Sequence, residues 1–434
     1  MFAVLEGHEN IVEMISASSD IEINHGNVDG TTALMVGADK GNSQIVKILL
    51  KHPKIDVNKE DIEGDNALIW AVDKGHHEIL NMLTRRKDLE ASEKNLEQVM
   101  NLLLGNRPLD VESLTELVAK AVKDSYQEIA SWILRSQKLK KHFLLDAVFL
   151  NSAQEGYFEI MKILLEKTLV SSINVADDNN VTALIHAVNS KKAASYKIAE
   201  FLVKNGCDVN QRGAMGNTSL HTAVQKKRYD IIDLLRIKSN ADFNLLGEKQ
   251  HSPLILAAGS NDTRALSSLL KKKDIDVNGK GFMGKSPLIW ASENGHTECV
   301  KMLMKETVEI NMTDADGYTS LMWASDNGHV EVVKALLEHP KINVNVIDTD
   351  GHSALTWAAD RGHQAVVEAL LTNAKINCNI IDNDCYSPLI CASRNGLTDI
   401  VSTLLEDTRV DVNIKVQVFK ISIYPIFQFW TYET

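Results

Sequence analysis

Long apolar runs are missing from this 434-residue chain. No stretch approaches the roughly 18 consecutive apolar residues of a membrane-spanning helix, so membrane insertion is not expected. The opening MFAVLEGHEN has neither a basic n-region nor an apolar h-region, so no signal peptide is expected. Proline is scarce at 7 and glycine stands at 23, against a low-complexity organisation. The five cysteines (207, 299, 378, 385, 391) are odd in number and lack a C-x-x-C spacing. That fits free thiols in a reducing compartment, with the cytosol expected and the nucleus as the alternative. Positive charge is in deficit: 46 Lys and Arg against 58 Asp and Glu leave −12. A dedicated nucleic-acid binder needs a basic stripe to displace counterions, so nucleic acid is not an expected partner. The densest basic runs, RSQKLKKH from Arg135 and KKK from Lys271, read as solvated helix ends.

Catalytic signatures are missing too. There is no G-x-S-x-G, no P-loop and no H-E-x-x-H. Asp314, Asp316, Asp348, Asp350, Asp382 and Asp384 recur at equivalent turn positions, where short acidic side chains serve turns and caps. No catalysis by this chain, no cofactor and no metal are expected.

What the chain has in abundance is itself, repeated. Aligned on the Leu that opens each unit, the pattern falls at Leu34, Leu68, Leu184, Leu220, Leu254, Leu288, Leu321, Leu355 and Leu389. From Leu220 the steps are 34, 34, 33, 34 and 34. A Gly-containing turn (DADGYTS, DTDGHSA) precedes a short apolar-Ala segment (LTWAAD). A Gly and a second segment with apolar residues at i, i+3 and i+4 follow (VVEALL), and a loop ending in D/N-V-N closes the unit. The spacing predicts helix, turn, helix and extended loop, with one apolar stripe per helix. Such a unit cannot bury its apolar face alone, so the architecture is a stack of units rather than a single core.

These motifs in register resemble the ankyrin repeat: the period, SPL at 252–254, 286–288 and 387–389, TSLHTAV at 218–224, the NGH-x-E-x-V-K-x-LL core, and the closing DVN. The clear match covers roughly residues 1–90 and 145–415. The resemblance implies an all-α ankyrin-repeat solenoid of about twelve helix-turn-helix units joined by short hairpin loops. Residues 1–86 read as repeats with the first truncated, 87–142 as a divergent repeat with a helical insertion near 87–112, 143–415 as repeats, and 416–434 as a non-repeat tail. Met1 opens inside a unit, and the tail VQVFKISIYPIFQFWTYET is aromatic and β-branched where a stack end needs a polar cap. A gene model wrong at both ends, truncated and with translated intron at the C-terminus, is the expectation; a genuine strand-like tail covering the last repeat is the other reading. Only His221 keeps the His that the family places after T-P-L; elsewhere Met35, Ile69, Ile185, Ile255, Ile289, Met322, Thr356 or Ile390 stands there. Loss of that side chain's backbone bonds, with apolar packing in compensation, is expected.

The resemblance implies function by recognition: first helices line a concave groove, and turn tips project toward it and vary with the partner. Trp70, Trp290, Trp323 and Trp357 share one slot, before the Ala of the first helix. Aromatic residues are over-used at interface hot spots, so these Trp form either a ladder for a partner segment or packing against the adjacent helix. Tyr318, His352 and Tyr386 follow the turn glycine slot and are the second candidates for partner contact. The recurring GH histidines (His8, His76, His296, His329, His363) read as local caps or packing rather than ligands of a shared metal. Cys378, Cys385 and Cys391 read as small buried hydrophobes. The closing Asn of each unit (Asn58, Asn210, Asn278, Asn311, Asn345, Asn379, Asn413) should bond loop backbone. In related proteins this Asn can be hydroxylated by an oxygen-dependent asparaginyl hydroxylase, which makes Asn58, Asn210, Asn278, Asn345 and Asn413 candidates. The expectation is thus a monomeric, non-catalytic scaffold for protein partners. The alternative is the recognition segment of a larger enzyme, channel or ubiquitin-ligase adaptor.

Overall fold

The computed structural model describes residues 1–18, 20–86, 88–89, 98–100, 102, 117–122, 130–131, 133–134 and 145–414. The expected insertion near 87–112 and the tail 416–434 lie largely or wholly outside the described residues. The chain divides into two compact units, Met1–Asp208 and Val209–Thr434. Each is all-α. In the second, six pairs follow one another: Ser219–Gln225 with Tyr229–Lys238, Pro253–Gly259 with Thr263–Leu270, Pro287–Glu293 with Thr297–Leu303, Ser320–Asp326 with Val330–Leu337, Ala354–Arg361 with Gln364–Leu371, and Pro388–Arg394 with Thr398–Glu406. The first unit repeats the scheme, as in Ala33–Lys40 with Ser43–Leu50 and Ala67–Asp73 with His77–Thr84. The described residues hold no strand, only isolated bridges at Ala176–Thr182 and Thr313–Thr319 across two turns.

Most of these helices run seven or eight residues. Alone they would not persist, because nucleation is costly and isolated helices below about 12 residues are marginal. Packing must hold them. First helices lie against first helices of the next pair, and Ala257, Ala291, Ala324 and Ala358 are fully buried there. Second helices bury their aliphatic stripe, as with Val332, Val333 and Leu336. Each such side chain contributes about 1.5–3 kcal/mol. Starts are set locally: Ser252, Ser286, Thr319, Ser353 and Ser387 accept the backbone N–H three residues on. Pro253, Pro287 and Pro388 follow such caps in the first turn, where a missing N–H costs nothing.

The slot after the cap corrects one expectation. His221 behaves as the family implies: the Thr218 N–H donates to its Nδ1 at 3.2 Å, and its Nε2 lies 3.1 Å from the His251 carbonyl of the next repeat. Burial pushes its pKa down to about 4, so the ring is neutral. The cap bond is not simply lost elsewhere. The Thr32 N–H donates to Met35 Sδ at 3.2 Å, the Thr319 N–H to Met322 Sδ at 3.4 Å, and the Ser353 N–H to Thr356 Oγ1 at 3.3 Å. At these three positions a thioether or hydroxyl replaces the ring nitrogen and only the bridge to the next repeat disappears; at Ile69, Ile185, Ile255, Ile289 and Ile390 the side chain has no acceptor.

Two devices join consecutive repeats. The GH histidines do not cap their own helices; four of the five reach back one repeat. His76 Nε2 donates to Asp39 O, His296 to Gly259 O, His329 to Glu293 O and His363 to Asp326 O, at 2.9–3.1 Å. The rings of His76, His329 and His363 then cover the preceding repeat's inter-helix glycine; the slot behind His296 holds Asn261. At Gly328 (φ 72°) a Cβ would sit 2.7 Å from His363 Nδ1, so both backbone and space demand glycine. The second device is the closing Asn. Asn311 Nδ2 donates to Lys341 O at 2.9 Å while its Oδ1 accepts the Asn343 N–H at 2.8 Å. Asn345 does the same to Lys375 O and the Asn377 N–H, and Asn379 to Arg409 O and the Asp411 N–H. Asn244 and Asn278 continue the ladder, and Asn24 begins one in the first unit.

Asn311→Ala should therefore lower unfolding free energy by about 1–2 kcal/mol, since two bonds vanish from partly hydrated groups. Asn311→Asp, which keeps the acceptor and loses the donor, should cost less. Urea midpoints measure both; equal midpoints for wild type and Ala would remove the ladder from the stabilising interactions.

Candidate functional site

The Trp slot is built around one carboxylate. Nine residues before Trp323 stands Asp314, the first residue of the turn. Its Oδ1 accepts the N–H groups of Asp316 and Tyr318 at 3.1 and 2.9 Å, which shapes the turn. Its Oδ2 accepts the Trp323 indole N–H at 2.7 Å. Asp348 repeats the arrangement with Asp350, His352 and Trp357, and Asp61 with Glu63, Asp65 and Trp70. In one first-unit repeat His186 replaces the indole, its Nε2 3.0 Å from Asp177 Oδ2. The turn is thus locked to the first helix of its own repeat, and the half-buried ring is fixed with its polar edge inward.

Trp290 departs from this scheme. Nine residues before it stands Gly281, and the Trp290 indole N–H, though buried, has no hydrogen-bond partner among the described residues. A Cβ at Gly281 would come 2.7 Å from Ile255 Cδ1 and 2.9 Å from Gln250 O, so no Asp fits there. The His251 ring packs edge-on to Trp290 instead, 4.9 Å between centroids.

The residue after the turn glycine bridges successive Trp slots. Lys285 Nζ lies 5.0 Å from the Trp290 ring centre and 3.7 Å from that of Trp323, in the next repeat. Tyr318 lies between Trp323 and Trp357, with centroids 4.8 and 5.3 Å away. His352 stacks on Trp357 at 4.6 Å, and Arg361 covers the same ring at 5.3 Å. A continuous stack therefore runs His251, Trp290, Lys285, Trp323, Tyr318, Trp357, His352. Its cations are matched from within: Lys285 by Glu293 at 2.7 Å and Arg361 by Asp326 at 2.7 Å.

Of the seven residues singled out in the sequence, Trp290, Trp323, Trp357, Tyr318 and His352 come together. Tyr386 sits one repeat on under Arg394, at 4.8 Å. Trp70 belongs to the first unit. Lys285, His251 and Arg361 were missed, and Asp314 and Asp348 were read only as turn and cap residues, although a fixed nine-residue Asp-to-Trp spacing was open to reading. Cys391 holds the last Trp slot; it is buried, and burial pushes its thiol up to about 12.

With Cys391 in place of an indole, Asp382 Oδ2 takes His352 Nε2 of the preceding repeat, at 3.2 Å. His352 Nδ1 lies 3.6 Å from Asp348 Oδ1, so one imidazole spans two buried carboxylates of adjacent repeats. The Asp348 carboxylate, with Asp382 behind it, raises the His352 pKa against the opposing effect of burial. Burial pushes Asp348 up, but bonds from His352 and Trp357 outweigh it and hold the carboxyl below its usual range. Because the folded pKa of His352 is raised, its contribution to stability is complete below about pH 6.5 and fades as pH rises through the folded value. The stability difference between wild type and His352→Gln should therefore shrink from about pH 5.5 to about pH 8.5. Urea titrations at both pH values measure it; a difference that grows with pH would reverse the assignment.

The family model described as ankyrin repeats (3 copies) matches residues 1–95, 117–213, 149–247, 220–314, 254–348 and 340–416. Similar curated proteins include the human transient receptor potential cation channel subfamily A member 1, 29% identical over 171 residues, 39% of this chain and 15% of the channel. The ankyrin repeat protein nuc-2 of Neurospora crassa is 28% identical over 165 residues, 37% of this chain and 15% of that protein. The chain thus spans well under two thirds of the length of these relatives. Among solved structures, the crystal structure of the ankyrin repeat domain of Bcl-3 has a TM-score of 0.47 and 24% identity, and covers 52% of this chain and 100% of its own. Repeats of this kind are generally protein-interaction modules. The chain belongs to the ankyrin repeat family.

Proposed function

We propose that the chain is a non-catalytic scaffold that binds partner proteins through the first-helix groove and the turn tips, above all along the stack Trp290, Trp323, Tyr318, Trp357 and His352. The observation that carries this reading is that the stack crosses consecutive repeats, with the indole edges of Trp323 and Trp357 fixed to Asp314 and Asp348. Rings already ordered lose little freedom on binding, so more of the contact energy appears as affinity. Trp70 and Tyr386 extend the candidate contacts to other repeats. The reading includes a monomer in the cytosol or nucleus, without nucleic acid or membrane insertion; among the described residues no helix is long and apolar enough to cross a membrane. A second reading, the recognition segment of a larger enzyme, channel or ubiquitin-ligase adaptor, is favoured by the short share of its relatives that the chain spans.

Trp357→Ala and Tyr318→Ala should each weaken capture of bound proteins by at least about 2 kcal/mol, roughly 30-fold, as hot-spot truncations do. Trp323→Phe, which keeps a ring but drops the bond to Asp314, should lose only a few-fold. Quantitative pull-downs, with thermal melts as the folding control, decide it; full binding by both Ala variants would end the reading.

We further propose Asn58, Asn210, Asn278, Asn345 and Asn413 as hydroxylation targets. The amides of Asn278 and Asn345 are bonded on both sides to the next loop, so modification requires that loop to open. Peptides spanning these Asn from oxygenated cells should carry one added oxygen by mass spectrometry. Uniformly unmodified peptides would refute it.

A further inference from the structure

The turns that open the repeats of the second unit come in two chemical kinds. Three start with glycine, at Gly213, Gly247 and Gly281, and take a positive φ two and three residues on, at Met215 and Gly216, Lys249 and Gln250, and Met283 and Gly284. Three start with a buried Asp, at Asp314, Asp348 and Asp382, and take a positive φ only at the third residue on, at Gly317, Gly351 and Cys385. The slot held by Met215, Lys249 and Met283 then holds Asp316, Asp350 and Asp384, all exposed. Around the glycine turns Arg212, Lys280 and Phe282 are exposed as well. The tips are therefore cationic and apolar over the first three turns and anionic over the last three.

Charge over whole repeats follows the same division. Residues 209–285 hold thirteen Lys and Arg against seven Asp and Glu, whereas residues 286–414 hold eight against nineteen. The acids deeper in the site are already matched, Glu293 by Lys285, Asp326 by Arg361 and Asp360 by Arg394. The tip acids Asp316, Asp350 and Asp384 form no ion pair among the described residues. What the anionic end offers to a partner is uncompensated negative charge, held in a row by the bonds that shape each turn.

We infer, resting on the recognition reading above, that the occupant is an extended protein segment of divided charge. Its Lys or Arg residues lie over Asp316, Asp350 and Asp384, and its apolar and acidic residues lie over Met215, Lys249, Lys280 and Met283. Packed repeats lie about 10 Å apart. A segment in the polyproline II conformation advances about 3.1 Å per residue with three residues per turn, which places the basic residues at every third position on one face. Complementary charge sets the direction of the segment, because the reversed orientation sets like charges against each other.

The test is selection of a displayed library of random 16-residue peptides on the full chain at low salt. The expected binders carry Lys or Arg at every third position in one half and Asp or Glu in the other. They should lose about tenfold in affinity when Asp316→Asn, Asp350→Asn and Asp384→Asn are combined, as three exposed charge pairs imply, and as much again on raising salt. A synthetic peptide of reversed sequence should bind more weakly. Binders that depend on Tyr318 and Trp357 but show no charge order, or ignore the triple Asn variant, overturn this inference and leave the recognition reading standing. Binders indifferent to both sets of changes overturn both. A salt-sensitive dimer in sedimentation that competes with the peptides assigns the charge division to a second copy of this chain, and also overturns the inference.

Discussion

Backbone groups in the loops between repeats have no helix or sheet to bond to, and that constraint shapes the rest of each unit. Buried or half-buried N–H and C=O groups left unpaired cost free energy comparable to a lost hydrogen bond. Here one Asn per repeat supplies both a donor and an acceptor to the following loop, as Asn311 does for Lys341 and Asn343. An amide carries donor and acceptor on separate atoms, so one short side chain serves two groups of the next loop at once. Because each loop is completed by its predecessor, the register of one repeat fixes that of the next. The half-buried rings at the Trp slot inherit their alignment from the same register.

The frame was legible because it is periodic. A 34-residue step, an apolar-Ala segment and an i, i+3, i+4 stripe suffice to place helix pairs, and the pairs Pro287–Glu293 with Thr297–Leu303 and Ser320–Asp326 with Val330–Leu337 lie where that step puts them. Contacts across one repeat were harder. The histidine that covers Gly328 is His363, thirty-five residues away. Pattern reading within a unit assigns such a ring to its own helix, whereas its partner lies in the previous one. Asn24 and Asn244 share the closing slot but were not among the closing Asn read from the sequence, although Asn24 stands in the same E-I-N as Asn311 and the amide is what the slot requires.

The candidate site shows the same division between what spacing reveals and what chemistry adds. Alignment alone placed Trp290, Trp323 and Trp357 in one slot. It did not show that the slot has two states, set by the residue nine positions earlier. With Asp314 or Asp348 there, the indole is bonded and the turn is wrapped around the carboxylate. With Gly281 there, the turn takes another path, and the indole meets the His251 ring instead. Sequence similarity between the repeats hides this switch, since the Trp is present in both.

A stack of repeats keeps the cost of that switch local. Gly281 leaves the Trp290 indole without a hydrogen-bond partner among the described residues, and in a single-core domain such a defect would lie in surroundings shared by the whole fold. Here the exchange is confined to one turn and its two neighbours, because each repeat touches only adjacent repeats. The helices beneath, with Ala257, Ala291 and Ala324 fully buried, keep the same packing on both sides of the change. Turn chemistry is thus free to vary from glycine and cationic to Asp and anionic while the frame stays constant. Cys391 and His352 show how tightly such variation is coupled between neighbours. Where one repeat loses its indole, the preceding repeat provides an imidazole to the orphaned Asp382 carboxylate. A substitution that looks isolated in the sequence is answered thirty-nine residues earlier, in the turn of the preceding repeat.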